Sequence, residues 1–157
     1  MDRDEHRKLT ADVLAAADLE VDEVGEDRWM TMLSGQWKRT IPLLLDLDER
    51  SLRITSLLCG APDEGHAEVY RLVLHRNEKL TWVHFALDDE GDVVLTGAVP
   101  RGVLTAEVLD EVLGVVLLTS DETYNSVLRA GFASYIDAEQ AWRKKAGLPP
   151  NPVSTEG

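Results

Sequence analysis

The chain has 157 residues, with 29 acidic and 16 basic side chains and a formal net charge of −13. This length predicts one domain that needs no disulfide or metal ion to fold, because it can bury roughly 68–70% of its unfolded surface. No run of 18 apolar residues occurs, which excludes a transmembrane helix. The negative charge disfavours binding to nucleic acid or to anionic membranes, since phosphates need Lys and Arg.

Two further features predict a cytoplasmic protein. Cys59 is the single cysteine, so an internal disulfide is excluded and a reducing compartment is favoured. The first five residues, Met-Asp-Arg-Asp-Glu, do not have the basic and then apolar pattern of a signal peptide.

The N-terminal segment has the pattern of an amphipathic helix over residues 5–19. Leu9, Val13 and Leu14 recur at helical spacing. Residues 1–28 also hold ten acids and four bases, which is nearly half of the net charge. Two interpretations of this charge stay open: a solvated helix face followed by a loop, or an acidic docking surface for a basic partner.

A block with strand patterns extends from residue 29 to residue 60. Residues 29–33 form a short apolar run, and residues 41–47 alternate with a period of two. After a turn at 48–50, residues 52–58 continue the alternation. The block therefore predicts three strands, of which the last two form a hairpin with one buried face.

The second half predicts a helix over 64–78, a hairpin and then a long helix. The hairpin strands are 82–87 and 93–99, and Gly91 in their connection supplies the positive φ that such turns need. Thr105 is the predicted N-cap of a helix with a wide apolar stripe, which indicates that the helix is buried. We expect this helix to stop or bend near Thr119 and Ser120, and a further helical piece to end at Gly131.

Residues 135–146 predict a C-terminal helical extension. The order is then helix, three strands, helix, two strands and helix, which is typical of an α+β fold with an antiparallel sheet and helices packed on it. We assign 1–146 to a single domain and 147–157 to a flexible Pro-rich tail.

No residue pattern indicates catalysis, a metal or a cofactor. The histidines are His6, His66, His75 and His84. They lack the spacing of zinc ligands, and the acids at 88–92 lack the twelve-residue pattern of a calcium loop. Cys59 ends an apolar run without an adjacent base, so we expect a buried, inert thiol. Phosphate-binding loops and nucleophile elbows are absent from the sequence. We therefore predict that the protein is not an enzyme.

The last hairpin predicts a sheet face that is neither clearly polar nor clearly part of a core. The residues proposed for a partner or dimer surface on this face are Trp82, His84, Ala86, Val94 and Thr96. Semi-apolar faces on small domains are candidate contact surfaces. The alternative is that the C-terminal helical extension folds over this face.

Several short motifs occur in a fixed order between residues 61 and 128. They are Ala61-Pro62, Val69-Tyr70-Arg71-Leu72, Val83-His84-Phe85-Ala86-Leu87-Asp88, Gly91-Asp92-Val93-Val94-Leu95 and Leu104-Thr105, followed by Leu109, Leu113 and Gly114. In this order the chain resembles the YbjN-domain family of bacterial sensory transduction regulators. The later pair Trp142-Arg143 is similar to actinobacterial members, and the resemblance covers roughly residues 5–145.

The resemblance implies a type III secretion chaperone-like fold, α-β-β-β-α-β-β-α, which agrees with the order predicted from periodicity. Proteins with this fold commonly form homodimers and bind extended segments of other proteins. The family offers no catalytic residues to carry over to this chain. A similar fold alone does not assign a function, because function depends on surface sites.

Two functions follow as hypotheses. The first is a noncatalytic, cytoplasmic protein-binding adaptor, chaperone-like or regulatory, that acts as a homodimer and binds no nucleic acid or membrane. The second is a small-molecule-sensing regulatory domain, for which Arg76, Asn77 and His84 are the candidate ligand contacts. The second hypothesis requires that these three side chains converge on one pocket.

Overall fold

The alternating strands form one antiparallel sheet whose buried face packs against helices, in a computed structural model that describes residues 1–153. The elements in chain order are α1 (Arg3–Ala16), β1 (Val21–Gly25), β2 (Arg28–Leu33), β3 (Ile41–Leu47), β4 (Ser51–Cys59), α2 (His66–Asn77), β5 (Val83–Leu87), β6 (Val93–Pro100), α3 (Ala106–Gly131) and α4 (Ala133–Ala146). The strand order across the sheet is β1-β2-β3-β4-β6-β5. The predicted α+β class, with a C-terminal helical extension, is confirmed.

The core lies on one face of this sheet. Every second residue of β3 is fully buried, and the same period continues in β4 at Leu52 and Ile54. The long helix α3 packs on this face with Leu109, Val112 and Val116. Each fully buried aliphatic side chain contributes about 1.5–3 kcal/mol, so the fold depends on this one-sided burial.

The structure contains one strand, β1, that the sequence analysis assigned to a loop. β1 forms the edge of the sheet and pairs only with β2, where Asp22 lies opposite Met30. Four of its five residues are exposed, and its pairing is interrupted between Glu23 and Gly25. A strand that is exposed on both sides has no alternation of apolar residues, so the periodicity gave no signal here.

The helix stop expected as one alternative near Thr119 and Ser120 is absent, because α3 continues through both residues as one helix of 26 residues. Thr119, Ser120 and Thr123 are all buried, so small hydroxyl side chains extend the packed stripe towards Val127. The helix ends at Gly131. A new helix, α4, then begins with its first turn held by Glu64, whose carboxylate accepts a 2.7 Å hydrogen bond from the Ser134 amide.

Residues 148–153, which the sequence predicted to be part of a flexible tail, lie against α4 in the structure. The Arg143 side chain donates to the Pro149 carbonyl oxygen at 3.2 Å, and Gln140 contacts the backbone of Asn151. The Val153 side chain is buried. Residues 154–157, also assigned to the tail, lie outside the described residues, and the domain boundary at residue 146 stays a prediction.

Asp27 fastens α1 to the turn between β1 and β2. Its buried carboxylate accepts hydrogen bonds from the Arg7 guanidinium and forms a 2.8 Å ion pair with Arg3. Its backbone carbonyl accepts a 2.9 Å hydrogen bond from the Leu47 amide. The hydrogen bonds from Arg7 hold the pKa of Asp27 below its usual value, although burial opposes this.

We expect Asp27→Asn to lower the free energy of unfolding by about 2 kcal/mol at neutral pH, because a charged hydrogen-bond acceptor is lost. Asn tolerates the positive φ of 59° at this position, so the substitution removes the charge and one acceptor oxygen without straining the backbone. Because the pKa is depressed in the fold, the contribution of Asp27 is complete above its unfolded pKa of about 3.9 and declines as the pH falls further. Urea unfolding at neutral and acidic pH measures both effects.

The matched control is Asp22→Asn, on the exposed edge strand β1. We expect this variant to change the free energy of unfolding by less than about 0.5 kcal/mol. Equal losses at the two positions, or a loss for Asp27→Asn that persists unchanged in acid, would contradict the role of Asp27.

Candidate functional site

Within residues 1–153, the sheet face opposite the core has no helix packed on it, and it carries three rows of side chains that run across the strands. The first row is Arg28, Asp46, Arg53 and Ala98. The second row is Met30, Leu44, Thr55, Thr96 and His84. The third row, called the apolar row below, joins Met32 opposite Pro42 to Leu57 opposite Val94, which lies opposite Ala86. Pro42 and Leu57 each stand two residues beyond the pair Leu44–Thr55, on the same face.

Four polar side chains of the first two rows have partners within the chain: Arg28, Asp46, Arg53 and Thr96. The Arg28 guanidinium lies 3.6 Å from the Asp46 carboxylate, and Arg53 lies 2.9 Å from Asp48 beside the row. The Thr96 hydroxyl donates a 3.0 Å hydrogen bond to the Ile54 carbonyl oxygen. These four side chains are therefore satisfied within the chain, whereas Thr55 and His84 are exposed to solvent.

The apolar row has a different character, because large apolar side chains are exposed there. Met32 is 50% exposed and Leu57 is 41% exposed, although both belong to paired strands. Ala86 is also exposed, whereas Val94 between it and Leu57 is nearly buried. Exposed apolar side chains grouped on an uncovered sheet face make this face a candidate contact surface.

The structure brings together four of the five residues that the sequence proposed for this surface. His84 lies directly opposite Thr96, and Ala86 lies directly opposite Val94. Trp82 does not join them. It precedes β5 with a φ of 70°, within a tight turn in which the Val83 amide donates to the Thr81 carbonyl oxygen, and its side chain packs against the core. The α4 extension packs on α3 and leaves this face open.

The structure separates the three residues proposed as small-ligand contacts. Asn77 is occupied, because its side-chain amide donates to the Phe85 carbonyl oxygen at 3.1 Å and accepts from the Phe85 amide at 2.7 Å. Arg76 lines a hollow between α2 and α3 on the helical side of the sheet. His84 points from the opposite, uncovered face. The three side chains therefore do not line one pocket.

The sequence analysis missed a groove of about 630 Å³ between the β2–β3 loop, α3 and α4. We call it the aromatic groove, because four aromatic residues line it: Trp37, Tyr124, Phe132 and Tyr135. They come from three separate segments of the chain, so no local sequence motif predicts them. The only signal was Trp37 in an otherwise polar loop.

Asp121 holds the loop side of the aromatic groove in place. Its carboxylate accepts hydrogen bonds from the amides of Trp37 and Lys38 at 2.7 and 2.9 Å. Burial disfavours its ionisation, but these backbone donors outweigh burial and lower the pKa of Asp121. The Lys38 ammonium lies 4.7 Å from the centre of the Tyr124 ring, a cation–π distance.

The surroundings of Cys59 and of the buried His6 indicate structural roles for both residues. Burial raises the pKa of the Cys59 thiol to about 11, which leaves almost no thiolate at neutral pH. The His6 Nδ1 atom accepts a 3.0 Å hydrogen bond from Arg101, while burial and the Arg101 charge lower the pKa of His6.

Residues 1–153 contain no cluster of three or more His, Cys, Asp or Glu side chains with metal-binding geometry. In the same part of the chain, no helix is both long and apolar enough to cross a membrane.

Comparisons with known proteins agree with this architecture. The sequence profile of the YbjN family, described as "Putative bacterial sensory transduction regulator", matches residues 7–129. An uncharacterised protein of Mycobacterium tuberculosis (strain ATCC 25618 / H37Rv) is 38% identical over 115 residues, which are 73% of this chain and 63% of the relative. The chain thus spans less than two thirds of that relative's length. The family resemblance inferred from the sequence motifs is confirmed.

Two solved structures share the fold. A chain of the HopA1–SchA chaperone–effector complex superposes with a TM-score of 0.59 at 15% identity, covering 76% of this chain and 92% of its own. A chain of the heterodimeric ExoU–SpcU complex from the type III secretion system of Pseudomonas aeruginosa gives 0.53 at 19% identity, with coverages of 71% and 92%. The type III secretion chaperone-like fold is therefore confirmed.

We expect Gly97→Ala to destabilise the protein by about 3 kcal/mol, since a Cβ at this position would overlap the carbonyl oxygen of Trp82. Gly114→Ala in α3 is the matched control, because a Cβ there meets nothing within 4 Å. Ala favours the helix, so this variant should be more stable by up to about 1 kcal/mol. Thermal and urea unfolding of both variants measure the difference. Similar stabilities for the two would mean that the strained turn at Trp82 does not depend on Gly97.

Proposed function

Because the chain belongs to the YbjN family, we propose that it is a noncatalytic adaptor, chaperone-like or regulatory, that binds another protein through the apolar row of its sheet. We further propose that it acts as a homodimer in the cytoplasm. The observation that carries the proposal is the exposure of Met32 and Leu57 on a sheet face that no helix covers within residues 1–153.

The dimensions of the apolar row favour an extended segment as the bound element. The row crosses five strands, β2 to β5 in sheet order, which at about 4.8 Å per strand gives roughly 19 Å. An extended chain advances about 3.3 Å per residue, so a segment of about six residues spans the row. Alternate apolar side chains of such a segment would meet the row.

The net charge and the related structures support the same class of partner. A chain with a net charge of −13 favours association with partners of net positive charge. The two solved structures of the same fold are complexes with protein partners, one of them a chaperone with its effector. That likeness supports a protein partner for this chain without identifying it.

Two observations support a noncatalytic role. Catalysis needs acid, base or nucleophilic groups within mutual reach. Here the Cys59 thiol is buried with a pKa of about 11, and the Asp27 and Asp121 carboxylates are engaged in holding α1 and the β2–β3 loop. For the small-molecule-sensing alternative, the separation of Arg76 from His84 removes the convergence that it required.

We expect Leu57→Lys to reduce the recovery of a copurifying protein about tenfold or more, because a charge in the apolar row disfavours its burial in a contact. The measurement is a tagged purification from the native cell extract, with quantitative mass spectrometry of proteins recovered in near-stoichiometric amount.

Light scattering of the free protein should give about 35 kDa, twice the 17.4 kDa chain. A mass of 17.4 kDa would contradict the homodimer.

Leu74→Lys is the matched control, because Leu74 is 64% exposed but lies on α2, on the other side of the sheet. This variant should recover as much partner as the unchanged protein. If Leu57→Lys and Leu74→Lys recover equal amounts, the apolar row is not the binding surface.

A further inference from the structure

The chain's own C-terminal segment, residues 148–153, is bound on α4 in the manner of a recognised peptide. One side chain, Gln140, makes three of the hydrogen bonds between this segment and α4. Its Nε2 donates to the carbonyl oxygens of Asn151 and Val153 at 2.8 and 3.1 Å, and its Oε1 accepts from the Asn151 amide at 2.8 Å. Gln140 thus pairs with the peptide backbone as a neighbouring strand would.

The composition of the segment fits this mode of binding. Pro149, Pro150 and Pro152 have no amide hydrogen, so few backbone donors need partners when the segment is bound. The Asn151 amide is taken by Gln140, and the Val153 amide donates to the Asn151 side chain at 2.9 Å. Proline-rich segments lose little entropy on binding and dock into aromatic-lined grooves.

The aromatic groove continues beyond the bound segment. Asn151, Pro152 and Val153 form one wall, whereas Trp37 and Tyr135 on the other walls remain exposed. Asn125, also in the lining, has a buried side-chain oxygen without a hydrogen-bond donor among residues 1–153. The groove therefore contains exposed aromatic surface and the unpaired side-chain oxygen of Asn125. Both lie next to the surface of α4 that already binds the proline-rich residues 148–153.

We infer that the aromatic groove is a binding site for an extended, proline-containing segment of another protein, and that residues 149–153 occupy part of this site in cis. The chain's own segment competes with the incoming one, because a short tether gives it an effective concentration near the millimolar range. This site is separate from the apolar row, although it rests on the proposed protein-binding function for its role.

The test measures binding of a fluorescent synthetic peptide, with the sequence of residues 147–157, to the full-length chain. In the unchanged protein the cis segment blocks the site. The double variant Asn151→Ala, Val153→Asp removes the contacts of both side chains and should bind the peptide about tenfold more tightly. Fluorescence anisotropy gives the affinities, and circular dichroism verifies that each variant is folded. If the double variant does not fold, Asn151→Ala alone replaces it.

Two substitutions on α4 identify the site within the double variant. Gln140→Ala removes the backbone contacts, and Tyr135→Ala removes an aromatic wall, so each should weaken peptide binding about tenfold. Trp142→Ala is the control, since Trp142 is as exposed as Tyr135, at 61% against 65%, but is not part of the groove lining.

The inference is overturned if the folded double variant binds the peptide no better than the unchanged protein. It is also overturned if Trp142→Ala weakens binding as much as Gln140→Ala. Because the assay uses only the peptide, it can fail while the apolar row still binds a partner, and the two proposals are distinguished.

Discussion

The burial of one face of a six-stranded sheet is the constraint on which the rest of this structure depends. Apolar residues at every second position of β3 and β4 meet α3, and the same period leaves the intervening side chains on the other face. The helices that follow the strands in sequence all return to the buried side. The uncovered face is therefore a direct consequence of the alternating pattern in the strands.

Polar side chains hold the remaining segments to this core through hydrogen bonds and ion pairs. Asp27 connects α1 to the β1–β2 turn, Asn77 connects the end of α2 to β5, and Asp121 connects the β2–β3 loop to α3. Gln140 does the same for residues 148–153. In each case a carboxylate or amide satisfies groups that would otherwise compete for water, which fixes segments that have little apolar surface of their own.

These side-chain contacts also restrict the surfaces at which a partner can bind. Asn77 occupies the amide and carbonyl of Phe85 on the edge strand β5, so that edge is partly closed to an added strand. The other edge, β1, is acidic and irregular. With both edges restricted, the exposed apolar side chains of the sheet face and the aromatic groove are the surfaces that favour a protein contact.

The sequence predicted those parts of the fold that depend on local periodicity. The alternation in residues 41–58, the hairpin around Gly91 and the capped helix after Thr105 all formed as expected. The hairpin also predicted His84 and Thr96 on one face, where the structure places them directly opposite each other. The edge strand β1 and the unbroken α3 did not follow, because an exposed strand lacks alternation and buried Thr and Ser resemble a helix end.

The candidate sites were less predictable, because they depend on long-range placement. The sequence pattern places Trp82 in strand 82–87. In the structure Trp82 has a positive φ, and its carbonyl oxygen lies against Gly97 of the neighbouring strand, a contact that the local sequence does not indicate. The apolar row joins Met32 on β2 to Ala86 on β5, and the aromatic groove joins three segments. Neither arrangement leaves a motif within a single stretch of sequence.

The most direct test of the central claim is photocrosslinking from the uncovered sheet face in cells that make the protein. A photoreactive phenylalanine analogue replaces Leu57 in one variant and Leu74 in another. The account predicts one discrete crosslinked protein from position 57 that is absent from position 74, because only the first lies on the apolar row. The same crosslinks from both positions, or none from position 57, would contradict it.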